Sequence, residues 1–256
     1  MVLAIDIGNT NIVIGCIDGS EIQYVFRLYT NHSKTADEYA MEIKSILDFH
    51  GVDREIIVGS VVSCVVPQLT RVFTNAVKLL TGVDAIVVGA GIKTGMNILI
   101  DDPGTLAADM VATAVGALTT YAMPAIIVDM GTATKMLVLD KNGNFIGGAI
   151  LPGVAISMNA LAAGTSLLPR VPLEAPAKSI SANTVDCMKS GAIFGAASMV
   201  DGMIDRFEEE LGEKAQLIAT GGLADAVFRY CKHEIVHDPN LILRGLGAIY
   251  MKNRKK

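Results

Sequence analysis

The chain has 256 residues, 51% of them hydrophobic, enough for one large domain or two smaller ones with proper cores. A net charge of -5 and a pI near 5.4 offer no basic face to a nucleic acid, and the basic cluster at 252–256 (KNRKK) reads as a solvated chain end. Asp6 interrupts the first apolar run, which argues against a signal peptide, and the uncharged stretches are too short or too broken by Gly and Pro to span a bilayer. The expectation is a soluble, cytoplasmic protein with no nucleic-acid or membrane partner. Cys16, Cys64, Cys187 and Cys231 are scattered without a CxxC pair and read as reduced core thiols; the four histidines lack metal-ligand spacing.

Residues 2–5 and 12–17 read as strands, and Asp18-Gly19 marks a hairpin turn into a third strand, QYVFRLYT. Apolar positions at Ala36, Tyr39, Ala40, Ile43, Ile46 and Leu47 predict a helix over 35–49. A buried strand is expected at 55–62 (EIIVGSVV), a helix at 67–80, a strand at 84–89, and, after Pro103, a helix over 105–121. The order then returns: AIIVDMG and KMLVLD as strands, a turn at Lys141-Asn142-Gly143, and FIGGAIL. Helices near 154–163 and 183–211, the strand QLIATGG and a last helix near 241–251 follow. Two copies of three strands followed by α/β units imply an internal duplication, divided into residues 1–120 and 121–256. The middle of the long helix, GAIFGAASMV, is apolar around much of its circumference and must be buried in the core or at a partner.

A buried strand delivers Asp6 to its C-terminal end, where Gly8 permits a tight turn and close ligand approach. Thr10 and neighbouring backbone N–H groups suit phosphate oxygens. A carboxylate beside phosphate is repulsive unless a cation lies between them, so the pattern points to metal-bound nucleotide phosphates. Asp129-Met130-Gly131-Thr132-Ala133-Thr134 is the second copy. Ala219-Thr220-Gly221-Gly222 ends a strand with two glycines, which suits a nucleoside lying against the backbone. Taken singly, each of these is more often an ordinary turn. Two matched hairpins and the third loop, in this order, are the pattern of the sugar kinase–hexokinase–actin superfamily: an α/β, duplicated ribonuclease H-like, actin-like ATPase fold of two lobes.

The chain also resembles the type III pantothenate kinases over nearly its whole length. The resemblance is carried by IDIGNTN at 5–11, SVVSCVVPQLT at 60–70, VDMGTAT at 128–134, GGAILPGVAISMNAL at 147–161 and TSLLPRV at 165–171. NTVDCMKSG at 183–191, ATGGLA at 219–224 and LILRGL at 241–246 complete it. It implies transfer of the ATP γ-phosphate to the 4′-hydroxyl of pantothenate, the first step toward coenzyme A, by a homodimer using Mg²⁺ and a monovalent cation, K⁺ or NH₄⁺. By position it implies that Asp6, Ile7, Gly8, Asn9, Thr10, Asn11, Ile12 and Val13 form the first phosphate loop, with Asp6 facing the Mg²⁺ of ATP. Thr132, Gly221 and Gly222 would touch ATP, Asp129 would hold the monovalent cation, and Asp109 would be the general base. Ile100, Ala107, Ala108, Asp109, Met110 and Thr184 would contact pantothenate. On its own residues, Asp109 reads more readily as an acid placed early in a helix to favour the dipole than as a catalytic group.

This sequence departs from the family where the family usually has a tyrosine (Ile100 here) and Gly-x-Asp-Arg (Ala107-Ala108-Asp109-Met110 here). Arginine offers a charged fork to a carboxylate and methionine offers none. The family also commonly continues the second hairpin as Thr-Thr-x-Asp, against Thr134-Lys135-Met136-Leu137. Lys135 opens a strand antiparallel to the one ending at Asp129. Its ammonium is therefore a candidate to approach Asp129 and replace the monovalent cation, the plainer alternative being a lysine solvated at a strand end. A pantothenate kinase with an altered substrate site, a silent nucleotide-binding regulatory paralogue, and a kinase for another small alcohol are the competing readings.

Overall fold

The computed structural model describes residues 1–254; the last two lysines of the basic tail lie outside the described residues. In chain order the elements are β1 (Val2–Ile7), β2 (Asn11–Asp18), β3 (Glu21–Tyr29), α1 (Ala36–Phe49), β4 (Gly59–Cys64), α2 (Pro67–Thr81), β5 (Ala85–Val87) and α3 (Ala108–Thr120). There follow β6 (Ala125–Met130), β7 (Ala133–Leu139), β8 (Phe145–Pro152), α4 (Val154–Ala163), α5 (Thr184–Leu211), β9 (Gln216–Thr220), α6 (Ala224–Val227), β10 (Val236–His237) and α7 (Leu241–Asn253). The two sheets run β3-β2-β1-β4-β5 and β10-β9-β6-β7-β8, the same order read from opposite ends. In each, an antiparallel three-strand meander is joined to a parallel pair, β1 with β4 and β6 with β9. The duplication is thus borne out strand by strand.

The chain forms two compact units, one of residues 1–96, 101–120 and 240 onward, the other of residues 97–100 and 121–239. The observed units differ from a division at 120/121 in two respects: residues 97–100 fall in the second unit, and α7 packs in the first, against α3, β1 and β4. The reason for the second is a close backbone crossing. A methyl built on Gly245 would lie 1.8 Å from the Ala112 carbonyl oxygen, and one on Gly116 would lie 2.2 Å from that of Leu241.

In the first unit α1 and α2 cover one sheet face, and Leu3, Ile5, Ile7, Ile12 and Ile14 meet Tyr39, Ile43 and Phe73 there. Strand alternation sends Leu3, Ile5 and Ile7 to that core and Asp6 to the other face. The start of α1 is set by a capping box in which Thr35 and Glu38 satisfy each other's backbone N–H groups. The strand expected at 55–62 begins only at Gly59. Asp53 accepts from the Glu55 N–H and starts a 3₁₀ turn at Arg54–Ile56, leaving Ile56 and Val58 exposed. In the second unit α5 covers its sheet, with Ile193, Ala197, Val200 and Ile204 against Ile126, Val128, Met136 and Leu217. No helix among the described residues is long and apolar enough to cross a membrane.

Candidate active-site residues and their family

In the first unit Asp6 is the penultimate residue of β1, with Val13 of β2 and Ser63 of β4 as its register partners. The turn after it is pinned: the Gly8 N–H donates to the Asn11 carbonyl at 3.0 Å, the Thr30 hydroxyl to the Gly8 carbonyl at 2.7 Å, and the Thr30 N–H to the Thr10 carbonyl at 3.0 Å. Thr30 is buried, while Asn9 and Thr10 stand exposed at the tip. Ile7 and Ile12 are core side chains, which leaves only their backbone to face a ligand. The Ser63 hydroxyl, on the sheet face that carries Asp6, is fully buried and has no hydrogen-bond partner among the described residues. An unpaired hydroxyl in the interior costs about 1–3 kcal/mol. Sequence reasoning missed it; a serine inside the apolar run SVVSC was the available signal.

Asp109 lies in the first turn of α3, half-buried, and accepts from the Met110 N–H at 2.8 Å. The approach to it is a 3₁₀ turn, Pro103–Thr105, which Asp102 caps by accepting from the Gly104 N–H at 3.0 Å. Ala107, Ala108 and Met110 flank Asp109 in the first unit and are half-buried; Ile100 belongs to the second unit.

In the second unit Asp129 is the penultimate residue of β6, directly opposite Lys135 of β7, and the Lys135 Nζ lies 2.7 Å from the Asp129 Oδ2. This turn is one residue tighter than the first, with the Gly131 N–H donating to the Ala133 carbonyl at 3.1 Å, and Thr132 is exposed at the tip. The glycine loop after β9 closes on the same carboxylate. Gly221 has φ +92°, and a methyl on it would lie 2.6 Å from the Asp129 Oδ1 and 2.7 Å from the Met130 backbone. Only glycine fits both that angle and that approach. The Leu223 N–H then donates to the Met130 carbonyl at 3.0 Å, tying the loop to the hairpin. Gly222 is exposed beside it. Thr184 opens α5, whose start is capped by Asn183, and lines an apolar cavity of about 520 Å³ with Ser157, Met158, Cys187, Gly191 and Met199.

The cysteines behave as expected in part. Burial pushes the Cys16 thiol up to about 11 and the Cys231 thiol up to about 12, so neither is a nucleophile at neutral pH. Cys187 is exposed.

The family model of the type III pantothenate kinases matches residues 2–206. The type III pantothenate kinase of Moorella thermoacetica is 41% identical over 99% of this chain and 100% of its own length. The chain belongs to the type III pantothenate kinase family. Solved structures agree on the actin-like, sugar-kinase fold at low identity. A Sinorhizobium meliloti protein, provisionally described as a 2-dehydro-3-deoxygalactonokinase, superposes with a TM-score of 0.59 at 12% identity over 100% of this chain and 98% of that one. A Campylobacter jejuni protein, provisionally described as a Baf family transcriptional activator, gives 0.60 at 21% over 98% of both. This member of the family carries carboxylates at 6, 109 and 129, with Met110 next to Asp109 and Lys135 across from Asp129.

Proposed function

We propose that this chain transfers the γ-phosphate of ATP to the 4′-hydroxyl of pantothenate. The observation that carries the reading is full-length similarity, at 41% identity, to a protein named as that kinase. Phosphoryl transfer asks a protein mainly for positioning and charge neutralisation. In this reading the hairpin from Asp6 to Val13, together with Thr132, Gly221 and Gly222, takes the nucleotide. Mg²⁺, bound with ATP, neutralises phosphate charge; an acidic group at a glycine turn fits that ion, and Asp6 is the residue that would face it. Asp109 accepts the proton of the attacking hydroxyl, and Ile100, Ala107, Ala108, Met110 and Thr184 hold the acceptor. The apolar cavity beside Thr184 suits the dimethyl end of pantothenate. We further propose a cytoplasmic homodimer.

Met110 favours a second reading, a kinase whose acceptor lacks pantothenate's carboxylate. Losing a charge-assisted hydrogen bond costs about 1.5–3 kcal/mol, or roughly ten- to a hundredfold in affinity. Steady-state ADP release with pantothenate and with a panel of small uncharged alcohols separates the two. The Met110→Arg, Ile100→Tyr double variant is expected to lower the pantothenate KM by roughly tenfold or more. No gain on pantothenate, with faster turnover on an uncharged alcohol, establishes the second reading. ATP uptake by calorimetry without ADP release on any alcohol would leave a nucleotide-binding regulator.

A further inference from the structure

We propose that Lys135 is a tethered monovalent cation for the second phosphate hairpin, so that this chain needs no added K⁺ or NH₄⁺. The inference rests on the phosphate-binding reading of that hairpin given above. A carboxylate two residues before a phosphate-binding turn repels its ligand unless a positive charge stands by it. Asp129 has that charge within the chain. It and Lys135 are directly opposed across the antiparallel β6–β7 pair, with 2.7 Å between Nζ and Oδ2 and side chains only 15% and 17% exposed. The register puts the two side chains within reach of each other, since opposed residues on adjacent strands project from the same face. The Gly221 backbone closes on the other carboxylate oxygen, so the Asp129 headgroup is enclosed from two sides.

A K⁺ seated on this carboxylate would lie a few ångströms from the Lys135 ammonium. At the edge of a protein, like charges about 4 Å apart weaken binding by roughly a hundredfold or more. The donor set therefore does not fit a free monovalent cation. A lysine ammonium carries the charge and the N–H donors of NH₄⁺, and its tether gives it a high effective concentration at the carboxylate. Asp129 and Lys135 together are neutral, so the hairpin presents no net negative charge to phosphate.

The test compares the full-length chain and its Lys135→Thr variant in choline chloride and in KCl at equal ionic strength. Three readouts are taken: Mg-ATP affinity by calorimetry, ADP release with pantothenate, and melting temperature. The unaltered chain is expected to change by less than about twofold between the salts, whereas Lys135→Thr loses roughly a hundredfold in ATP affinity in choline and regains most of it with K⁺. The variant alone should also gain a K⁺-specific rise in melting temperature, a readout that needs no nucleotide. Lys135→Met serves the same comparison if the threonine variant does not fold. A tenfold or greater stimulation of the unaltered chain by K⁺ overturns the proposal, as does a variant indifferent to K⁺. Absence of ADP from pantothenate in every salt sinks the acceptor reading alone, because ATP affinity and melting still decide the role of Lys135.

Discussion

Asp109→Asn is expected to lower kcat with pantothenate by about 10²–10⁴-fold, the usual worth of a positioned general base, while KM changes little. The attacking hydroxyl must lose a proton as the new P–O bond forms, and in a loose transition state that loss is late. A carboxylate accepts it; a carboxamide of the same shape does not. The folded state should barely notice. The half-buried Asp109 accepts from the Met110 N–H, and an asparagine oxygen can accept the same bond. The substitution removes the charge at the helix N-terminus, worth about 0.3–1 kcal/mol. For a chain of this size that is about 1–4 °C in melting temperature. The kcat–KM split is what distinguishes a base from a helix-start residue. A variant that keeps more than about a tenth of the turnover would return Asp109 to the bland role that its position early in α3 also allows.

What was legible in the sequence follows from strand periodicity. Asp6 and Asp129 interrupt apolar runs because alternation turns them away from the faces that α1, α2 and α5 cover. The Lys135–Asp129 pair was legible by counting back from the turn, since an antiparallel hairpin fixes which residues oppose each other. The membership of α7 was not, because it depends on a crossing with α3 between residues more than a hundred positions apart. β10 is two residues long and carries no period at all. The 3₁₀ turn at Arg54–Ile56 was hidden because β-branched residues in EIIV favour a strand until Asp53 captures the next-but-one N–H. Ser63 and the equally buried Thr134 hydroxyl, also without a hydrogen-bond partner among the described residues, look like ordinary strand residues until their surroundings are known. The roles of Asp109 and Thr184 came from the family resemblance; nothing in their local pattern distinguishes them from helix-start residues.

Gly245→Ala should destabilise the fold by about 2–4 kcal/mol, against the usual direction for a glycine inside a helix. Alanine ordinarily gains about 1 kcal/mol over glycine there. At Gly245 the added methyl would stand 1.8 Å from the Ala112 carbonyl oxygen and 2.8 Å from the Gly116 nitrogen. Both are backbone atoms of α3, so no rotamer change relieves the clash and the helices must separate. Separation loosens Leu241, Leu243, Leu246 and Ile249, all 0% exposed, each worth about 1.5–3 kcal/mol when fully buried. The partial loss of these contacts and the overpacking strain together outweigh the propensity gain. The expected readout is a melting temperature lower by about 5–15 °C. Gly202→Ala is the control: it lies inside α5 with nothing within 4 Å of the added methyl, and it should raise stability by about 0.5–1 kcal/mol. Because α3 begins at Asp109's own turn, pushing α3 off α7 also displaces the proposed base, so kcat for Gly245→Ala should fall even at temperatures where the chain stays folded. A Gly245→Ala chain that melts at or above the unaltered temperature would mean that the α3–α7 crossing is looser than drawn, and with it the support that holds Asp109 in place.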